Sequence, residues 1–339
     1  MQVGPPKWVF LGTGGTIAGS AAAAGDNVGY TAAQVGIEAL LQSALPAESE
    51  PPLHWICEQV AQVDSKDMDF SVWAALVQRC QQHLHDPLVA GLVITHGTDT
   101  LEETAWLLHR LLDTAKPVVL TCAMRQASSA SPDGPQNLRD AVAVLTAPGA
   151  RGVLVVAAGE IHGARPVQKV HPYRLNAFGS GDHGPLGWVE EGVVRLAQNW
   201  PAAQSQPARA AMKSIASGMP WPRVEIVVSY AGAQGATVNA LVRDGVQGLV
   251  AAATGNGTLH HALEEALERA QAQGVVVRVA SRCPLGHIVR ATGERNSSQS
   301  LLRVGGLSAV KVRVDVLLEL FAGGVQPEGA APAAPVAAG

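Results

Sequence analysis

The 339-residue chain is short of charge and of aromatic rings: 15% of its residues are Asp, Glu, Lys or Arg, and only four are phenylalanine. With a net charge of −4 and no long basic run, it lacks the electrostatic footprint of a nucleic-acid binder, and a small polar substrate fits better. No stretch approaches the ~20 apolar residues of a membrane span, so no membrane partner is expected. The amino end, "MQVGPPKWVF", carries one Lys and no apolar run of signal-peptide length. The expectation is a cytoplasmic protein, or a periplasmic one if a leader has been removed. Four cysteines (Cys57, Cys80, Cys122, Cys283) lie far apart with no CxxC or Cys/His zinc spacing. That excludes an obvious disulfide framework or metal site and predicts buried free thiols.

What is abundant is aliphatic: 47% of the chain is hydrophobic, and 36 glycines supply tight turns. The Val/Ile/Leu runs "WVFLG", "GLVITHG", "KPVVLTC" and "RGVLVVAA" alternate with "TAAQVGIEALLQSAL", "DFSVWAALVQRCQQHL", "TLEETAWLLHRLL" and "NLRDAVAVLTA", which have helical period. Continuous apolar strands interleaved with helices predict an α/β fold with a parallel sheet covered on both faces. The rhythm stops after Trp188, and 199–223, rich in Ala, Pro, Gln and Ser, reads as a linker. A smaller alternation follows, with strands "VEIVVSY", "GLVAAAT" and "VVVRVAS", helices near 234–244 and 258–272, and a last helix "LSAVKVRVDVLLELF". The expected organisation is therefore a larger N-terminal α/β domain (1–198), the linker, a smaller C-terminal α/β domain (224–323) and a disordered Ala/Pro/Gly tail (324–339).

Sites in parallel sheets lie beyond the carboxyl ends of the strands. Three such loops carry hydroxyls and charge: "GTGGTIAG", "VDSKDMD" and "THGTDTLEE". The first is not a nucleotide loop. The dinucleotide fingerprint needs a third glycine where Ile17 stands, and the P-loop needs lysine where Ser20 stands. What remains is Thr16 among glycines that allow close approach and mobility; bonding of Thr16 to its own turn is the plainer alternative. The third loop also fits a helix-start capping box, through Asp99 with Glu102 or Thr100 with Glu103. A cap needs one such residue, whereas Thr95, His96, Thr98, Asp99 and Thr100 fall together at one strand end, and that density favours a site. A hydroxyl nucleophile needs an activating base. The eleven histidines single out no partner and no G-x-S-x-G elbow is present, which leaves Thr with Lys and Asp. Lys169, read as following directly after the strand "RGVLVVAAGEI", can reach the rim that carries Thr98 and Asp99.

Taken together, "TGGTIAG", "ITHGTDTLEETA", "PVVLTCAMR", "SPDGPQNL" and "RGVLVV", with "GNGTL" and "SRCP.G" further on, resemble the bacterial L-asparaginase/glutaminase-asparaginase family over residues 8–322. The resemblance implies hydrolysis of L-asparagine to L-aspartate and ammonia, with glutamine as a possible second amide and no metal or other cofactor. It implies Thr16 as primary nucleophile, Tyr30 as its hydrogen-bonding activator, and Thr98, Asp99 and Lys169 as a second, rigid group. Ser65 and Asp99 would hold the α-carboxylate and α-ammonium of a zwitterionic substrate. Lys66 falls at the substrate end, where related enzymes often have an amide or small polar residue, and the Thr16 and Ala123 regions are candidates for the oxyanion side. It also implies a homotetramer built from tight dimers, with Asn256 and Glu294 reaching the site of a neighbouring chain. A covalent aspartyl-Thr16 intermediate and direct attack by a Thr-positioned water are both compatible with these residues. So are two other functions: an ammonia-supplying subunit of a tRNA amidotransferase, and a non-catalytic aspartate/asparagine sensor.

Overall fold

In the computed structural model, which describes residues 6–23, 25–45, 54–202, 208–289 and 301–323, the apolar runs form two sheets. The larger contains β1 (Lys7–Gly14), β2 (His54–Val63), β3 (Val89–Thr95), β4 (Pro117–Thr121), β5 (Gly152–Ala157), β6 (Glu160–Gly163), β9 (Gly187–Glu190) and β10 (Val193–Leu196), in the order β10-β9-β6-β5-β4-β3-β1-β2. A two-residue pair, β7 (Gln168–Lys169) with β8 (Phe178–Gly179), stands apart from it. The smaller sheet contains β11 (Val224–Val228), β12 (Gly248–Ala253), β13 (Val276–Ser281) and β14 (Leu302–Val304), all parallel.

The larger sheet departs from the all-parallel expectation. Strands β2, β1, β3, β4 and β5 are parallel, but β6, β9 and β10 extend the sheet by antiparallel pairing. The cause is local: Ala158-Gly159 and Glu191-Gly192 both take positive φ at two successive positions, the backbone of a two-residue hairpin turn. "RGVLVVAAGEI" is thus a strand, a tight turn and a second strand rather than one strand. Lys169 accordingly follows a hairpin and a further turn.

Helices α1 (Ile37–Ala44) and α4 (Gly134–Thr146) cover one face of the larger sheet. On its other face lie α2 (Phe70–His85) and α3 (Leu101–Leu111), joined by α5 (Arg209–Ala216) and α8 (Ala309–Gly323). Helices α6 (Ala236–Arg243) and α7 (His261–Ala272) cover the outer face of the smaller sheet. The stretch read as a linker thus contains a helix, α5, whose Ala211, Met212 and Ile215 are buried. Beyond α5, Trp221 stacks on Phe70 with ring centres 4.5 Å apart, so this segment joins the core between the sheets. The proposed tail, 324–339, lies outside the described residues. Among the described residues no helix is long and apolar enough to cross a membrane. The four cysteines are free thiols, but only Cys80 and Cys122 are buried; Cys57 is half-buried and Cys283 exposed.

This order places the chemistry. Strand β1 lies between β2 and β3, so the connections leaving β1 and β3 diverge at a topological switch point, where open α/β sheets form a crevice at the strands' carboxyl ends.

Candidate active site

Three loops meet in that crevice: Thr16–Ala18 after β1, Ser65–Asp67 after β2, and 96–100 after β3. They approach more closely than side chains permit. A Cβ on Gly15, whose φ of 82° already disfavours other residues, would fall 2.2 Å from the Gly97 Cα; one on Gly97 would fall 2.4 Å from the Ser65 Oγ. The glycines in "GTGGT" and "THGT" therefore let the first and third loops touch one residue before Thr16 and Thr98, with Ser65 behind them. Ser65 locks the second loop to the third. Its Oγ accepts the Asp99 N–H (3.1 Å), and its carbonyl accepts the Thr100 hydroxyl (2.8 Å). Thr100 stands at the start of α3 but its side chain makes no cap; the capping-box reading fails because that hydroxyl is committed to Ser65.

Two hydroxyls each have a partner. The Thr16 hydroxyl shares a 2.6 Å hydrogen bond with the Tyr30 phenol. The Lys169 Nζ donates to Thr98 Oγ1 at 2.7 Å and to Asp99 Oδ1 at 2.6 Å, which ties β7 to the loop after β3. Charge assistance makes these short bonds the strong kind. The Lys169 side chain is 18% exposed while Asp99 is 51% exposed, so the carboxylate keeps an open side for a ligand.

Tyr30 arrives on a loop that folds back over the first turn, where Ser20 and Thr31 exchange both backbone hydrogen bonds at 2.9 Å. The segment after β4 pins this loop. Gln126 Nε2 donates to the Asp26 carbonyl (2.7 Å), Ser129 Oγ donates to Asn27 Oδ1 (2.7 Å), and Ser128 Oγ accepts the Ala21 N–H (2.8 Å). Sequence reasoning passed over Gln126, Ser128 and Ser129, although "RQASSAS" also stands just after a strand, which is the signal that applied elsewhere.

His96 is fully buried, and burial drives its pKa down to about 4, so it is neutral. Its Nδ1–H donates to the Gly97 carbonyl (2.7 Å), and its Nε2 accepts from Thr104 Oγ1 (2.9 Å), which in turn accepts the Trp73 indole N–H (2.9 Å). This chain fixes the ring under the Thr98 loop, making His96 part of the frame. Thr95 is likewise structural here, its carbonyl accepting the Thr13 hydroxyl at 2.9 Å.

The description "Asparaginase, N-terminal" matches residues 7–202, and "Glutaminase/Asparaginase C-terminal domain" matches residues 223–328. The chain belongs to the asparaginase family. It is 36% identical over 317 residues to a probable periplasmic L-asparaginase of Haemophilus influenzae, covering 93% of this chain and 88% of that one. It is 35% identical over 321 residues to L-asparaginase 2 of Escherichia coli (93% and 89% covered). To a glutaminase-asparaginase of Pseudomonas fluorescens it is 36% identical over 296 residues (85% and 78% covered). The crystal structure of a probable cytoplasmic L-asparaginase from Campylobacter jejuni superposes with a TM-score of 0.85 at 33% identity, covering 93% of this chain and 95% of that one.

Within this asparaginase-family chain, Thr16 with Tyr30, Thr98 with Asp99 and Lys169, and Ser65 with Asp99 are brought into contact. Ala123 is fully buried after β4 and packs in the same core cluster as Ile17 and Ala18, the residues that follow Thr16. Lys66 turns its ammonium to Asp67 and, at 3.8 Å, Asp64, with 61% of its side chain exposed. Asn256 uses both ends of its amide on the Val289 backbone, at 2.9 and 2.7 Å. Among the described residues no hydrogen bond joins it to the Thr16 or Thr98 groups. Glu294 lies outside the described residues.

Proposed function

We propose that this chain hydrolyses the side-chain amide of L-asparagine, giving L-aspartate and ammonia, with the Thr16 hydroxyl as nucleophile. The observation that carries the reading is the pairing of each hydroxyl with its own partner: Thr16 with Tyr30 at 2.6 Å, Thr98 with Lys169 at 2.7 Å. A threonine serving only its turn does not need a phenol brought in by a separately pinned loop. The family and the relatives' names support the substrate class; glutaminase-asparaginases among them make glutamine the second amide to assay.

In this mechanism the substrate ammonium sits against the open side of Asp99, and its α-carboxylate against Ser65. Tyr30 holds the Thr16 hydroxyl toward the side-chain carbonyl. The Thr16 oxygen bonds to the carbonyl carbon, its proton passes to the departing nitrogen, and ammonia leaves. Water then cleaves the aspartyl ester and restores the Thr16 hydroxyl. The Thr98, Lys169 and Asp99 group supplies a positioned hydroxyl and a fixed charge for these proton movements. A homotetramer built from tight dimers, to whose neighbouring sites Asn256 and Glu294 contribute, and a cytoplasmic location complete the proposal.

Ammonia release from asparagine and glutamine, measured side by side, tests it. Thr16→Ala and Thr98→Ala are each expected to lower kcat by roughly 10² to 10⁴-fold, the range of a positioned proton-transfer group. Rapid quench and mass spectrometry should show an acyl adduct on Thr16. Parent-rate turnover in both variants would sink the reading, and asparagine binding without turnover in the parent protein would favour the sensor.

A further inference from the structure

A lysine buried in a helix far along the chain reaches the backbone that presents Lys169. Lys311, in the apolar run "SAVKVRVDVLLELF", has no solvent exposure. Its Nζ donates to the carbonyls of Ala164 (2.9 Å), Arg165 (2.8 Å) and Val167 (2.5 Å). An ammonium has three protons to give, and this one places them on three carbonyls of a single turn. Burial of a charge is costly unless it is fully partnered, and the flanking Val312 and Val314 show that the helix packs well without one. The turn it gathers runs from β6 to β7, and Lys169 is two residues beyond Val167.

The same short strand is held from the opposite side. Glu102, in the first turn of α3, lies close to the Lys169 backbone N–H, its Oε2 is buried with no hydrogen-bond partner, and its charge interacts favourably with that of Lys311. Burial pushes the Glu102 carboxyl up, and Lys311 and the nearby Lys169 backbone N–H oppose the push. Glu102 is three residues past Asp99, so the start of α3 carries both the Asp99 carboxylate that meets the Lys169 side chain and the carboxylate that meets its backbone. A two-residue strand such as β7, paired only with β8, has little hold of its own.

We propose that Lys311 and Glu102 are positioning residues for Lys169: they fix the backbone from which its ammonium bridges Thr98 and Asp99, and through α8 they make that placement depend on the C-terminal domain. This rests on the role of Lys169 proposed above.

The test uses the full chain and four variants, Lys169→Ala, Lys311→Met, the double variant, and Glu102→Gln. Ammonia release is measured with enzyme in excess and at steady state, and folding by urea unfolding. Lys311→Met is expected to lower kcat about 10- to 100-fold, the scale of an ångström-level misplacement, with KM within about threefold. Added to Lys169→Ala it should cost no more than about twofold, because the residue it acts through is already gone. Glu102→Gln should lower kcat in the same sense by a smaller factor. Parent kcat in Lys311→Met overturns the inference, as does a double variant whose loss equals the product of the two single losses. If Lys311→Met does not fold, Glu102→Gln decides, and parent kcat there overturns it. Parent kcat in Lys169→Ala would remove the proposed role of Lys169 as well, whereas loss there with parent kcat in Lys311→Met and Glu102→Gln removes this inference alone.

Discussion

The meeting of three loops through Gly15, Gly97 and Ser65 can be tested by one methyl group. In Gly97→Ala the new Cβ would lie 2.4 Å from the Ser65 Oγ, 2.6 Å from the Ser65 Cβ and 3.1 Å from the Gly15 Cα. Carbon atoms settle at ~3.5 to 4.0 Å, so Ser65 and the 96–100 loop must separate by about 1 Å. Ser65 is 1% exposed and has no open space into which to turn. Moving it stretches the 3.1 Å bond that its Oγ accepts from the Asp99 N–H. Overpacking of this kind costs about 1 to 3 kcal/mol, and an unpaired buried N–H about 1 to 3 kcal/mol more. Urea unfolding followed by tryptophan fluorescence should therefore show a loss of about 2 to 6 kcal/mol. Displacing Thr98 and Asp99 by such a distance should lower kcat/KM for asparagine roughly 100-fold. Adding Ser65→Gly removes both clashing Ser65 atoms but also the acceptor of the Asp99 N–H, so about half of the lost stability, the overpacking part, should return while activity does not, since Ser65 belongs to the proposed carboxylate site. A Gly97→Ala protein with parent stability and parent kcat/KM would refute the interlocked-loop geometry.

Two further outcomes follow from single contacts. Tyr30→Phe removes the 2.6 Å partner of the Thr16 hydroxyl and should lower kcat about 10- to 100-fold, the rate equivalent of one buried hydrogen bond; an unchanged kcat would remove Tyr30 as activator. Burial pushes the Glu103 carboxyl up to about 7, with Arg313 opposing and Glu102 adding to the push. The folded state therefore holds a proton that the unfolded chain releases from pH ~4.3 upward, so this contribution to stability is present at acid pH and is lost as pH rises to about 7. Glu103→Gln should flatten that part of the urea-stability profile and gain on the order of 3 kcal/mol over the parent at pH 8 relative to pH 4. Equal pH profiles for the two proteins would contradict the burial of this carboxyl.

The central parallel strands were legible because strands buried on both faces must be nearly continuous in Val, Ile and Leu, a pattern that survives without any tertiary information. The antiparallel extension was not. Its two hairpins depend on Ala158-Gly159 and Glu191-Gly192 adopting positive φ; the first pair scarcely interrupts its apolar run, and the second joins strands of only four residues each, too short to show a period. Helix α5 was hidden for a different reason: eight residues with three buried positions give little period, and the surrounding Pro, Gln and Ser read as loop.

Hydroxyl density at a strand end drew attention to "THGTDT", but density alone does not distinguish a site from its frame. The Thr95 carbonyl accepts the Thr13 hydroxyl, the Thr100 hydroxyl donates to the Ser65 carbonyl, and His96 is a neutral buried strut. Only Thr98 and Asp99 in that stretch face Lys169. What separates the two classes is the partner's chemistry, the Lys169 ammonium for Thr98 and Asp99 and neutral groups of the frame for the rest; contacts of both classes reach far along the chain, 71 residues for Thr98 and 82 for Thr95. No local period encodes such a separation. The same holds for Lys311, which is 144 residues from the Val167 carbonyl it binds. In sequence it is one basic residue on an apolar helix, and only the fold shows that all three of its protons go to the turn that carries Lys169. Lys311 and Glu102 act on Lys169 without touching Thr98 or Thr16 and carry no sign of that role in the sequence, which is why their variants test the structure more severely than the threonine variants do.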